Sequence, residues 1–195
     1  MTTLTAARGA PESSRWRTVD IVVVAILAVA FGVVFWFWDV YVWAWLEPLG
    51  KPWEYLVSGM WLMPAVVAPL IVRKPGAALL AEMIAAIVSV ILGSQWGLDT
   101  LLSGFVQGAG AELVFGFVMY RNFGAVVALI AGAGAGAGEA LHDIPVWYPT
   151  LAGNLQFGIA ALEVVSSAVI AGLGGWLLVR SLRQTGALQA FPSRE

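Results

Sequence analysis

The sequence predicts an all-α integral membrane protein, a bundle of six transmembrane helices with both termini cytoplasmic. Three observations carry this prediction. Of the 195 residues 60% are apolar and 11% charged, and the mean hydropathy is +0.85, too little polar surface to clothe a soluble domain of this size. Six apolar stretches each approach the ~20 residues needed to cross a ~30 Å hydrocarbon core. Once those stretches are threaded, nine of the ten Lys and Arg residues fall on one side, with only Lys51 outside the pattern. The opposite loops hold Asp39, Glu47, Glu54, Asp99, Glu139 and Asp143. Lys and Arg asymmetry between short loops sets membrane orientation.

The elements follow in order. Residues 1–15 are small and polar, with Pro11 and Ser13, and read as a disordered cytoplasmic tail. Arg15 and Arg17 precede the first span, 19–40; it is long, ends in aromatics and Asp39, and lacks a small-x-small cleavage site, so it reads as a retained helix and not a signal peptide. The second span, 54–72, ends at Arg73 and Lys74, and Pro75-Gly76 turns the chain into the third, 76–94. The fourth, 99–120, ends at Arg121-Asn122, a short turn into the fifth, 123–142. The last, 154–181, is followed by Arg183, giving a membrane domain of 16–183 and a cytoplasmic tail of 184–195.

Several function classes are excluded early. A net charge of −2, with the basic residues spread over short separate segments, does not build the basic face that a nucleic-acid binder needs. The chain has no cysteine, hence no thiolate metal site and no Cys nucleophile. It also lacks H-E-x-x-H, G-x-S-x-G and the G-x-x-x-x-G-K-[ST] phosphate loop, so it does not hydrolyse ATP by itself. Neither a metal nor a cofactor is called for.

Tryptophan is abundant and gathers at the outer helix ends: Trp36, Trp38, Trp43, Trp45, Trp53, Trp96 and Trp147, with Tyr41, Tyr55 and Tyr148. An interfacial belt explains each one singly. Together they can also cage a flat or cationic ligand. Small residues mark close helix contacts: Gly134 with Gly138 in the Gly-Ala run of helix five reads as packing within the bundle. Ala28 with Gly32 on helix one fits equally packing within the bundle or docking onto a partner.

An ionisable group inside hydrocarbon costs several kcal/mol unless neutral, paired or wet, so Glu82, Glu112 and Glu163 call for a reason. Helix direction puts Glu112 near the middle of helix four and Glu163 in the outer half of helix six, with Gln156 on the same face and Asn154 near the entrance. Glu82, Ser89 and Trp96 form a comparable stripe on helix three, and both stripes are expected to face the interior. A polar pair that merely locks helices together is the structural alternative. Glu139-x-x-His142 is half of a helical carboxylate-histidine metal motif, but the second copy is missing.

The block Phe105-Val-Gln107-Gly-Ala-Gly110-Ala-Glu112-Leu-Val-Phe115, followed by Tyr120-Arg121, together with Val19-Asp20-Ile21 leading into Ala28-x-x-x-Gly32 and Phe35-Trp36, resembles the YkoE family. The likeness extends over essentially the whole chain in length and topology. It implies a substrate-binding subunit of an energy-coupling factor (ECF) importer in the cell membrane, associated with thiamin and its hydroxymethylpyrimidine precursor. Such a subunit binds its ligand from outside and docks on a transmembrane coupling subunit carrying two cytosolic ATPases. By this resemblance Ala28 and Gly32 would be the docking face. An aminopyrimidine presents an amine donor and ring-nitrogen acceptors, which Glu112, Gln107 and Glu163, with Asn154 at the entrance, would read. Trp61, Trp96, Trp147 and Tyr148 would form the wall, and thiamin's thiazolium would gain cation-π contact. Two other readings stay open: an intramembrane metal-dependent enzyme using Glu139, His142 and Asp143, and a stand-alone proton-coupled carrier using Glu82 and Glu163.

Overall fold

The computed structural model describes residues 15–191, and among these the chain is helical with no strand. The first span is α1 (Thr18–Phe37), prolonged by a π-helical turn, Trp38–Val42, the short α2 (Trp43–Leu46) and a 3-10 turn, Glu47–Leu49. The second starts as a 3-10 helix, Trp53–Met60, and becomes α3 (Met63–Val72). Then come α4 (Ala77–Ile91), α5 (Asp99–Phe117) and α6 (Ala125–Trp147). The last span joins α7 (Gly153–Ser167) through a π-helical stretch, Ala168–Gly174, to α8 (Gly175–Gln184). Five of these are long and apolar enough to cross a membrane; Ala77–Ile91, shorter at 15 residues, makes the sixth.

The helices succeed one another in space much as in sequence, α1 against α4, α4 against α5, α5 against α6 and α6 against the last span. The inner half of the second span is the centre of the bundle: Pro64 through Val72 are all buried. Such a helix, apolar on every side, is stable only when enclosed by others. Its Arg73 terminus adopts a left-handed backbone, φ 53°, and the turn that follows starts α4.

Close helix approach follows from glycine. The run Gly132-Ala-Gly134-Ala-Gly136-Ala-Gly138 serves two neighbours: a Cβ on Gly134 or Gly138 would strike the α5 backbone, and one on Gly136 would lie 2.5 Å from the Glu163 carbonyl oxygen on α7. The sequence reading of Gly134 and Gly138 as internal packing residues agrees with this geometry. Gly32 behaves in the same way. A Cβ there would lie 2.5 Å from Val88 Cβ and 2.7 Å from the Ala85 carbonyl oxygen, and Ala28 is fully buried. The expectation that Ala28 and Gly32 form a partner-docking face is therefore corrected: both are pressed against α4 of the same bundle. The outward side of α1 carries Ile21, Ile26, Val29 and Val33 instead.

Two boundaries differ from the sequence reading. The fifth span runs on to Trp147, through Pro145, because its outer end stays helical against α5. The last span reaches Gln184, beyond which Phe191 is buried in the core and the Ala190 carbonyl oxygen accepts from Arg17 Nη2 at 3.5 Å. Most of the expected N-terminal tail, residues 1–14, and residues 192–195 of the C-terminal one lie outside the described residues.

Candidate ligand-binding site

At the end of the bundle opposite Arg73, Lys74 and Arg121, the helix ends enclose a cavity of about 570 Å³ counted with its open mouth. That is the size range of small-molecule sites. Three helical stripes build it, each a product of i, i+3 and i+4 spacing that brings side chains onto one face. The α4 stripe is Glu82, Ala86 and Ser89, continued by Trp96; α5 gives Asp99, Ser103 and Gln107; α6 gives Glu139, Asp143 and Trp147. Phe35, Asp39, Trp43, Tyr55 and Trp61 from the first two spans complete the lining.

Asp39 sits in the π-helical turn, an inserted residue that re-aims a side chain and often marks functional positions. Its Oδ1 accepts from Trp61 Nε1 at 2.8 Å, and its Oδ2 from Ser94 Oγ at 2.7 Å and Ser89 Oγ at 3.4 Å. The Asp39 carbonyl oxygen takes Gln95 Nε2 at 3.0 Å. Trp43 packs against Tyr55, Trp61 and Trp96, with ring centroids 5.1 to 6.0 Å apart, and Trp96 meets Trp147 edge-on at 5.3 Å. Edge-to-face contact of this kind leaves ring faces for a flat ligand.

Deeper in, Gln107 Nε2 donates to Ser103 Oγ at 2.6 Å and to Glu139 Oε1 at 3.3 Å. Glu82 Oε2 accepts the Ala65 backbone N–H at 3.0 Å. Glu82 Oε1 and Glu139 Oε2 are buried and make no hydrogen bond within the protein. Five carboxyl groups thus line the cavity, whereas among the described residues no Lys, Arg or His does.

The rim is latched. His142 lies between Asp143 Oδ1, 2.8 Å from Nδ1, and Asp99 Oδ1, 3.2 Å from Nε2, and Trp147 Nε1 donates to Asp99 Oδ2 at 3.0 Å. On the other side Lys51 Nζ pairs with Glu54 Oε1 at 2.7 Å and lies 4.7 Å from the Tyr148 ring centroid. Desolvation of the Lys51 ammonium is outweighed by Glu54 and Tyr148, so its pKa is raised. Burial likewise lifts the Tyr148 phenol above its ordinary value, against the pull of Tyr55 and Lys51. Tyr148 accepts from the Tyr55 hydroxyl at 2.6 Å, one layer behind the lining.

The structure brings together Gln107, Trp61, Trp96 and Trp147 of the expected site, and the Glu82-Ser89-Trp96 stripe faces inward. Glu112 lies elsewhere. Its carboxylate caps the start of α4, accepting from Gly76 N at 2.6 Å, Ala78 N at 2.9 Å and Leu79 N at 3.4 Å, and from the Tyr120 hydroxyl. It therefore sits toward the basic end and not at mid-depth, since α5 ends only five residues later, at Phe117. Glu163 is fully buried on α7 beside the Asp143 carboxyl, behind the lining. Asn154 is exposed at the start of α7. Asp39, Asp99, Glu139 and Asp143 join the lining without having been singled out as ligand residues, and Trp43 and Tyr55 join it from the outer aromatic group. The signal was present for three of them, Asp99, Glu139 and Asp143, in the i, i+4 progressions Asp99-Ser103-Gln107 and Glu139-Asp143-Trp147 that continue the known polar positions outward. For Asp39 no signal existed, because a π-helical turn breaks the regular spacing.

Comparison with known proteins agrees with this architecture. Residues 19–138 match the family described as ABC-type cobalt transport system, permease component. The chain is 30% identical, over 177 residues, to YkoE of Bacillus subtilis (strain 168), described as a candidate HMP/thiamine permease protein; the match covers 90% of this chain and 89% of that one. A crystal structure of an S-component of an ECF transporter superposes with a TM-score of 0.85 at 30% identity, covering 90% of each chain.

Proposed function

We propose, on the premise that the chain belongs to the ABC-type cobalt transport permease family and to the YkoE-like S-components of ECF transporters, that it binds thiamin or its hydroxymethylpyrimidine precursor and delivers it to a coupling subunit driven by cytosolic ATPases. As an S-component it is a multi-pass cell-membrane transport subunit and not an enzyme. The observation that carries the ligand class is the cavity lining: five carboxyl groups, a cluster of Trp and Tyr faces and, among the described residues, no cationic side chain. Such a site repels anions and attracts a flat cation, with each cation-π contact contributing ~0.5–2 kcal/mol. Free carboxyl oxygens at Glu82 and Glu139 and the Gln107 amide match the hydrogen-bonding edge of an aminopyrimidine.

Cobalt, named in the family description, suits the site less well. Among the described residues no three His, Asp or Glu side chains converge as metal ligands, and both His142 nitrogens are already taken by Asp99 and Asp143.

The orientation follows the charge asymmetry: the mouth faces outside and the end bearing Arg73, Lys74, Arg121, Arg180 and Arg183, with both termini, faces the cytoplasm. Mass spectrometry of small molecules released from the purified protein tests the ligand class. Thiamin or hydroxymethylpyrimidine in stoichiometric amount is the expected result. A metal ion or an anionic metabolite in its place would refute it.

A further inference from the structure

Resting on the cationic ligand proposed above, we infer that Glu163 and Asp143 form a buried proton-binding site behind the cavity wall, and that a ligand cation entering the cavity displaces the proton they share. Glu163, which does not line the cavity, thereby gains a role in ligand capture.

The two helices aim these side chains at one another. α6 runs outward, and α7, which follows it, runs back inward. A helical side chain leans toward the N-terminus of its own helix, so Glu163 leans outward on α7 and Asp143 leans inward on α6. Gly136 is the α6 residue level with Glu163, since a Cβ there would lie 2.5 Å from the Glu163 carbonyl oxygen. Asp143 stands seven residues, about 10 Å, farther out on the same face of α6. Leaning in from both ends, the two side chains close that interval and their carboxyl groups meet.

Glu163 is fully buried, and neither of its oxygens accepts a hydrogen bond from any described residue. From α6 the pair faces Glu139 and His142, with Glu82 of α4 beyond Glu139. From the 3-10 helix Trp53–Met60 it faces Tyr55, behind which stand Tyr148 and the Lys51–Glu54 ion pair. The ammonium of Lys51 is engaged by Glu54, and both His142 nitrogens are taken by Asp143 and Asp99, so neither reaches Glu163. A buried carboxylate without a donor is strongly disfavoured, and two touching carboxylates more so. A single proton resolves both: the Glu163 O–H donates to the Asp143 carboxylate, which also bonds His142 Nδ1 at 2.8 Å. The pair then carries one negative charge and titrates as a unit.

Asp143 links this proton to the cavity, because it lines the wall while Glu163 lies behind it. A monovalent cation bound beside Asp143 favours the doubly ionised pair. The Glu163 O–H bond breaks, its electron pair stays on the carboxylate, and the proton leaves to water at the outer mouth. One positive charge enters and one departs, so the net charge of the site is unchanged. Entry and exit lie on the same side of the membrane, and the exchange draws on no proton gradient. Proton and ligand compete, so a cation binds more tightly as the pH rises through the titration of the pair.

Titration calorimetry with thiamin at neutral pH, in buffers of different ionisation enthalpy, counts the protons released by the wild-type protein and by Glu163→Gln, Glu163→Leu, His142→Gln and Glu139→Gln. The wild type should release up to about one proton per thiamin, with affinity rising by up to about tenfold per pH unit. Glu163→Gln offers an amide donor to Asp143 without a titratable proton; it should still bind thiamin, release almost no proton and lose most of the pH dependence. His142→Gln and Glu139→Gln should retain the release. A melting curve of each variant establishes that it is folded, and Glu163→Leu, which also lacks the proton, decides the matter should Glu163→Gln fail to fold. Release that persists in the Glu163 variants, release lost only in His142→Gln or Glu139→Gln, or a wild type that binds thiamin without releasing a proton would each overturn the proton site while leaving the ligand class standing. A wild-type protein that does not bind thiamin would overturn the ligand class, and the exchange with it.

Discussion

Replacing Glu112 by glutamine tests whether a carboxyl group buried among membrane helices reads ligand or holds a turn. Its two oxygens collect three backbone N–H groups at the start of α4 and the Tyr120 hydroxyl. A helix start leaves its first N–H groups without intrahelical partners, and the macrodipole makes an anion favourable there. Burial and the adjacent carboxylate in turn hold the Tyr120 phenol above the usual tyrosine range. The amide of glutamine keeps one acceptor oxygen but turns an NH2 group toward N–H donors, so at least one charge-assisted hydrogen bond is lost. That costs about 1.5–3 kcal/mol, with ~0.3–1 kcal/mol more for the charge at the helix terminus. For a chain of this length, at roughly 2–4 °C per kcal/mol, the melting temperature should fall by about 4–16 °C. Affinity should change less than about twofold, because Glu112 is not in the cavity lining. A thermal melt and a thiamin titration on the same Glu112→Gln preparation provide both readouts. An unchanged melting temperature with a tenfold weaker dissociation constant would refute the reasoning and return Glu112 to the ligand.

Three further outcomes follow from the same geometry. Gly32→Leu should destabilise the bundle by about 1–3 kcal/mol or more, seen as a lower melting temperature of the isolated protein, since the α4 backbone at Ala85 cannot yield; normal melting with uptake abolished would instead restore Gly32 to a partner face. Thiamin monophosphate should bind at least about tenfold more weakly than thiamin in competition titrations, because no cationic side chain lines the cavity to offset phosphate charge; equal affinity would contradict the electrostatic reading. Single Cys probes at Lys51 and Gln95 should react with an impermeant reagent applied outside, and probes at the exposed Pro75 and Gln184 should not; the reverse pattern would invert the proposed orientation.

Most of the fold was legible in the sequence, because hydrophobic length and punctuation by Pro75-Gly76 and Arg121-Asn122 act locally. The site was legible only in part. Regular spacing carried the Glu82-Ser89-Trp96 stripe to the interior, whereas Gln107 was reached through the family resemblance. Depth along a helix misled for Glu112, since a carboxylate some turns from a helix end can still reach across to cap the start of a neighbour, and nothing in its own helix announces that neighbour. Ala28 and Gly32 show the same limit: a small-residue face states that a backbone comes close but not whose. Asp39 was hidden by the π-helical turn, which inserts a residue and so shifts the periodicity on which the reading depended.

The central claim is that the acidic, tryptophan-lined cavity binds thiamin or its aminopyrimidine half, and quenching of intrinsic fluorescence during titration of the ligand-free protein tests it most directly. Trp43, Trp61, Trp96 and Trp147 all line the cavity. The account predicts saturable quenching at one ligand per chain, with Trp96→Leu reducing the amplitude. Linear, unsaturable quenching that is indifferent to Trp96 would contradict it.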